Sequence, residues 1–245
     1  MARPMQPTGA SAEMRGKARL RPRDAASLIL IDGSGRSARI LMGRRSQSAV
    51  FLPGAYVFPG GRVERIDART PIKGGLSVGD SQRLIMQVRG VCGPQRATGF
   101  AVAALRECYE EAGVLIGDGA PEAPRAWADA VSSGFRPGVA ALRFFARAIT
   151  PPGRPRRFDT RFFLAERSAV SAEHPIVDGE LDDLGWLTVG EALDRPLPTI
   201  TKFVLHDIEA WVAGGGQSQV WAVPFYRQVH GRPVRSLLSG AGSSA

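Results

Sequence analysis

A chain of 245 residues, 44% of them apolar, is long enough to bury a substantial core, and it contains neither an apolar run of membrane-spanning length nor an apolar signal core. Its two cysteines, Cys92 and Cys108, are too few for a disulfide framework and form no Cys/His cluster with zinc spacing. A cytoplasmic protein with free thiols and no membrane partner is therefore expected. The formal charge of +9 is carried almost wholly by Arg, with Lys only at 17, 73 and 202. Guanidinium forks suit phosphates, so nucleic acid, a polyphosphate ligand and a simple coding preference for Arg all fit the charge. No zinc-finger spacing, aromatic RNA-binding signature or dense basic stripe is present, and nucleic acid is not the expected partner.

Residues 1–23 combine Pro, Gly, Ser and Ala with alternating Arg and Lys, which reads as a disordered basic arm rather than a transit peptide. A globular domain is expected over 24–228 and a flexible tail over 229–245. The apolar run from Ala25 to Ile31, the turn at Asp32–Gly35 and a second run from Ala38 to Met42 predict a β-hairpin. Phe58-Pro59-Gly60-Gly61 then marks a loop whose backbone can approach a ligand closely. Segment 65–97 is rich in Gly, carries one candidate helix near Asp80–Val88 and reads as a surface insertion. Farther on, Leu142–Ala148 and Thr160–Ala165 read as strands, and Leu184–Leu187 as a short strand after the acidic stretch Asp178–Asp183. A helix is expected over Ile200–Val212, ending at three consecutive Gly. Val220–Tyr226 looks like a final short strand.

Arg106-Glu107-Cys108-Tyr109-Glu110-Glu111-Ala112-Gly113-Val114 closes a helix whose apolar face is Phe100, Ala103, Ala104 and Cys108. Spacings of three and four residues project Glu107, Glu110 and Glu111 onto one patch, where like charges repel by a few tenths of a kcal/mol per pair, roughly. Such a patch either stays solvated or receives a cation, and carboxylate oxygens are the ligands preferred by Mg²⁺, Mn²⁺ and Ca²⁺. His174, His206 and His230 have no metal-ligand spacing and read as surface or packing residues.

The Gly-Gly pair followed by Arg-Glu-x-x-Glu-Glu-x-Gly-Val resembles the Nudix box, which reads Gly, five residues, Glu, seven residues, then Arg-Glu-U-x-Glu-Glu-x-Gly-U with U aliphatic. Counted from Gly61, the first Glu of the box falls on Asp67, and the insertion then separates it from Arg106. A box interrupted in this way resembles the branch of Nudix hydrolases that includes the peroxisomal coenzyme A diphosphatases and their bacterial relatives. Leu41-Met42-Gly43-Arg44-Arg45-Ser46, Gly54 and Phe58–Gly61 resemble the coenzyme A signature of related enzymes, with Val50 where an Arg is expected.

The resemblance implies an α/β/α sandwich with a mixed β-sheet and hydrolysis of a phosphoanhydride in a nucleoside-diphosphate-linked small molecule. Coenzyme A or an acyl-coenzyme A is the first expectation, and ADP-ribose or a dinucleotide the second. A non-catalytic nucleotide- or RNA-binding module is the alternative of another class, and a homodimer is left open. Glu107, Glu110 and Glu111 would hold Mg²⁺ or Mn²⁺, with Glu107, Glu111 and Glu180 as catalytic residues and Asp182 and Asp183 behind Glu180. Arg44, Arg45, Gly60, Gly61 and Arg62 would contact substrate, and Glu64 and Asp67 would add outer carboxylates. Arg106, whose Cα–Cβ bond points about 100° from that of Glu107, would brace the helix as an ion-pair partner, and Gly113 would end it.

Overall fold

The computed structural model describes residues 20–88, 93–119, 121–122, 124–176, 180–216 and 221–238. Cys92, Asp178 and Gly179 lie outside these. Strand β1 (Arg23–Asp32) forms the expected hairpin with β2 (Arg39–Arg45), in register Ile31 to Ile40. Its central residues are buried on both faces, which is why the sequence there is a continuous apolar run rather than an alternating one. Two short strands, β3 (Tyr56–Val57) and β4 (Gly60–Arg62), pair with β2 and β1 respectively.

Helices α1 (Val78–Ile85) and α2 (Pro94–Ala112) follow, then β5 (Val114–Leu115), β6 (Gly117–Asp118), α3 (Trp127–Ser132) and β7 (Arg136–Pro137). The chain continues with β8 (Arg143–Ile149), β9 (Phe158–Glu166), β10 (Ala172–Glu173), β11 (Leu181–Thr188), α4 (Val189–Leu193), α5 (Thr199–Ala213), β12 (Val223–Val229) and β13 (Arg232–Leu238). The main sheet runs β11-β2-β1-β9-β8-β12-β13, with β1/β9 and β8/β12 parallel and the other pairs antiparallel.

Alternation along the strands sorts the core into two layers. Leu28, Leu30, Phe144 and Phe163 face α2, while Ile29, Ile31, Phe145 and Leu164 face α5. The mixed sheet between helical layers is the sandwich expected from the sequence. Among the described residues, no helix is long and apolar enough to cross a membrane.

Segment 65–97 lies at the surface as expected, most of its described residues being exposed or half-buried, but it is anchored inward: the turn at Asp67–Arg69 packs under α2, with Ala68 against Gly99, and Asp67 is fully buried. Leu84 of α1 joins the same core, Asp80 accepts a hydrogen bond from the Phe144 N–H, and 94–97 is already the first turn of α2. The segment therefore covers the outer side of α2, which accounts for that helix being buried almost all round. The tail is also more structured than expected, because β13 pairs with β12 along its length. Arg23, assigned by composition to the basic arm, begins β1 and pairs with Phe158 of β9.

The end of α2 is set by Gly113, whose φ of 69° is left-handed and whose N–H donates to the Tyr109 carbonyl at 2.8 Å. A Cβ at Gly113 would lie 2.0 Å from the His174 carbonyl oxygen. Gly113→Ala should therefore destabilise the protein by about 1–3 kcal/mol in denaturant titration, the sum of a left-handed Ala and a backbone clash.

Candidate active site

The last turn of α2 meets the β3–β4 loop. Gly60 donates its N–H to Glu111 Oε2 at 2.8 Å. A Cβ on Gly61 would stand 2.3 Å from Glu107 Oε2, and one on Gly60 would strike the Ala26 carbonyl at 2.6 Å. Only paired glycines let this strand lie between β1 and the carboxylates.

Arg106 organises the charges. Helical geometry aims its Cα–Cβ bond away from Glu107, yet the long side chain curls back, and its guanidinium donates to four residues. Asp67 accepts two of these bonds, at 2.8 and 3.1 Å, while Nη1 donates to Glu107 Oε1 and Glu110 Oε2 at 2.9 Å each. Nη2 also donates to the Arg62 carbonyl at 2.9 Å, tying β4 to the helix. Asp67, placed at the first box Glu by counting alone, thus pairs with Arg106 instead of standing as an outer carboxylate at the cleft.

Burial pushes the Glu111 carboxyl up to about 8; the Gly60 N–H opposes this, and the neighbouring Glu107 charge adds to it. Glu107 is raised to about 7, again chiefly by burial and against the pull of Arg106. Glu110, more exposed, is also raised chiefly by burial, against the pull of Arg106, with the Glu64 charge adding to it, so Glu64 borders this patch. Arg45 and Glu180 also act on Glu111, and Arg45 donates to Glu180 Oε2 at 3.0 Å. Glu180, carried at the entry to β11, is therefore brought alongside the helix carboxylates.

The two arginines of β2 part company. Alternation turns Arg45 to the α2 face and Arg44 to the α5 face, where Arg44 acts on Tyr56. Asp183, expected to stand behind Glu180, sits at a β-bulge with φ 49° and accepts the Tyr56 hydroxyl instead. Asp182 pairs across the strands with Arg44. Arg62 reaches the site through its carbonyl, and its side chain lies on the opposite face from Gly61.

Among the described residues, no group of three or more His, Cys, Asp or Glu side chains is arranged to hold a metal ion as it stands. One oxygen of each helix carboxylate is taken by a protein donor, Arg106 or the Gly60 N–H. The second oxygens of Glu107, Glu110 and Glu111 accept no hydrogen bond from a described residue. An all-oxygen, partly buried set with surplus negative charge is the donor chemistry that a hard divalent cation takes.

Fold and site together define an α/β/α sandwich with a carboxylate-bearing helix closed over a Gly-Gly strand. No protein-family model matches the chain. A nudix hydrolase 7, described as putative, of Caenorhabditis elegans is 30% identical over 71% of this chain and 54% of its own length. An acyl-coenzyme A diphosphatase of Gallus gallus is 27% identical over 71% of this chain and 62% of its own. The chain thus spans a little over half the length of these curated relatives. A solved NUDIX hydrolase of Alicyclobacillus acidocaldarius superposes with a TM-score of 0.60 at 28% identity, covering 81% of this chain and 94% of that one. The chain belongs to the Nudix hydrolase family.

Asp67→Asn should cost about 1–3 kcal/mol in chemical denaturation, because it removes the fully buried, bidentate carboxylate from the guanidinium of Arg106, 6% exposed, and leaves only Glu107 and Glu110 to match its charge. The raised carboxylates set a second expectation, for metal-free protein. A carboxyl whose folded value lies above its unfolded one favours the folded state while protonated, and that contribution fades as pH rises. With chelator present, the melting temperature should fall between the ordinary carboxylate range near 4.5 and the values of about 7 and about 8 at Glu107 and Glu111. Glu111→Gln should flatten the fall.

Proposed function

We propose that this protein is a divalent-metal-dependent hydrolase of the phosphoanhydride bond in a nucleoside-diphosphate-linked compound, with coenzyme A or an acyl-coenzyme A as the substrate class. The observation that carries the reading is the convergence of Glu107 and Glu111 on the Gly60–Gly61 strand, with Arg45 and Glu180 alongside. Similarity to a relative named as an acyl-coenzyme A diphosphatase supports the choice of substrate class.

A diphosphate resists hydrolysis because its oxygens repel a nucleophile. Bound Mg²⁺ or Mn²⁺ would supply charge neutralisation and a more acidic water. Glu111, Glu107 and Glu110 would hold the cations through their unpartnered oxygens. The bonds from Arg106 and the Gly60 N–H fix the three side chains before ligand arrives. Glu180 is the position at which a proton from the attacking water would be taken, and Glu107 Oε2 would take it instead where Glu111 and Glu110 alone hold the cations. Arg45, already beside Glu111, would offset negative charge on the phosphates, and the Gly60–Gly61 backbone lets them approach without a side chain between.

Incubation with coenzyme A, ADP-ribose, a dinucleotide and capped RNA, with and without Mn²⁺, tests the reading. Metal-dependent release of products from coenzyme A is expected, and absence of cleavage at any metal concentration overturns the enzyme assignment in favour of a binding module. Glu111→Gln should lower kcat by ~100-fold or more while leaving the circular dichroism spectrum unchanged; undiminished turnover would remove that carboxylate from the reaction.

A further inference from the structure

At the outer edge of β4, where Glu64 links it to the carboxylate patch, lies a cavity of about 410 Å³ lined by Arg23, Asp24, Arg62, Val63 and Glu64, with the two arginines on the strand face away from Gly61. Most cations nearby are already committed: Arg106 to Asp67, Glu107 and Glu110, Arg45 to Glu180, and Arg96 to Asp24. Arg23 and Arg62 differ, since neither guanidinium makes a hydrogen bond or ion pair with a described residue. Asp24 does not cancel them, because Arg96 and Arg161 each donate to it at 2.7 Å. Glu64 borders the cavity on the side of Glu110, whose carboxyl it helps to raise.

Strand register places the two arginines together. Arg62 is the cross-strand partner of Ala25, and Ala25 shares its face with Arg23 two residues earlier. On that face Arg23 pairs with Phe158 of β9, whose ring packs edge-on to Phe51 at 5.5 Å. Both rings are partly exposed. Phe51 belongs to the same loop as Val50, which is 80% exposed and stands where the coenzyme A signature has an Arg. The loop that lacks that Arg thus comes down beside two uncommitted ones from β1 and β4.

We propose that Arg23 and Arg62 form a subsite for a phosphomonoester carried by the substrate outside its diphosphate, next to an aromatic surface at Phe51 and Phe158 that takes the base. The subsite rests on the hydrolase reading for its place in a reaction, and within the coenzyme A class already proposed it assigns the residues that recognise the phosphorylated ribose. Two guanidinium groups give a dianionic phosphate paired, charge-assisted hydrogen bonds that a bare ribose hydroxyl does not engage.

Coenzyme A and dephospho-coenzyme A differ by that one phosphomonoester. Calorimetric binding of each to the full chain, in chelator so that neither is turned over, should show coenzyme A binding about tenfold or more tightly. Arg23→Gln and Arg62→Gln, both exposed and expected to leave melting temperature unchanged, should each reduce the preference several-fold, and the double variant should abolish it. Where turnover is measured, the preference should sit in KM with kcat alike for the two compounds. Equal affinity for the two, no binding of either, or a preference untouched by both substitutions overturns the subsite. A preference that persists in a protein that never cleaves either compound would sink the hydrolase reading and leave the subsite standing.

Discussion

The site depends on one guanidinium held in the interior. Arg106 is buried, and its charge is matched by a fully buried Asp67 in bidentate contact and by Glu107 and Glu110 at the helix end. Two acids on one turn of the helix, with a third beneath, would repel without it. With it, the last turn of α2 keeps fixed carboxylates at the cleft, and the bond to the Arg62 carbonyl locks β4 at a set distance. Buried ion pairs seldom stabilise a fold more than apolar packing would, so the value of this one lies in geometry.

Around that hub the remaining constraints are steric. Gly60 and Gly61 pass between β1 and the carboxylates where a methyl group would not fit, and Gly113 turns the chain away in a left-handed conformation against His174. Segment 65–97 supplies Asp67 and then covers the outer side of α2 through Leu84 and the Asp80–Phe144 contact. An interruption in the box is thereby compatible with the site, because the inserted segment packs against the helix that it leads into.

The strands, the two principal helices and the apolar layers were readable from periodicity and from the unbroken apolar run of β1. Less readable was anything that depended on which face of a strand looks at α2. Arg44 and Arg45 are adjacent in sequence and were expected to act together, yet the pleat sends them to opposite faces. Asp183 looked like a reserve for Glu180 until the bulge in β11 turned it to Tyr56. Arg23 looked like part of a basic arm because composition does not show where a strand takes its first partner. β13 went unseen because its residues alternate between exposed and partly buried positions and gain order only from β12.

By itself the sequence determined the carboxylate turn and the Gly-Gly loop, since both are encoded within single elements by spacings of three and four residues and by missing side chains. The tertiary structure alone decided that Asp67 neutralises Arg106, that Glu180 and Arg45 stand with Glu111, and that Arg23 and Arg62 share one cavity. These pairings join residues from separate elements, some of them far apart along the chain, and no local pattern carries them. They arise only when strand register and the burial of charge, which requires a partner, are satisfied together.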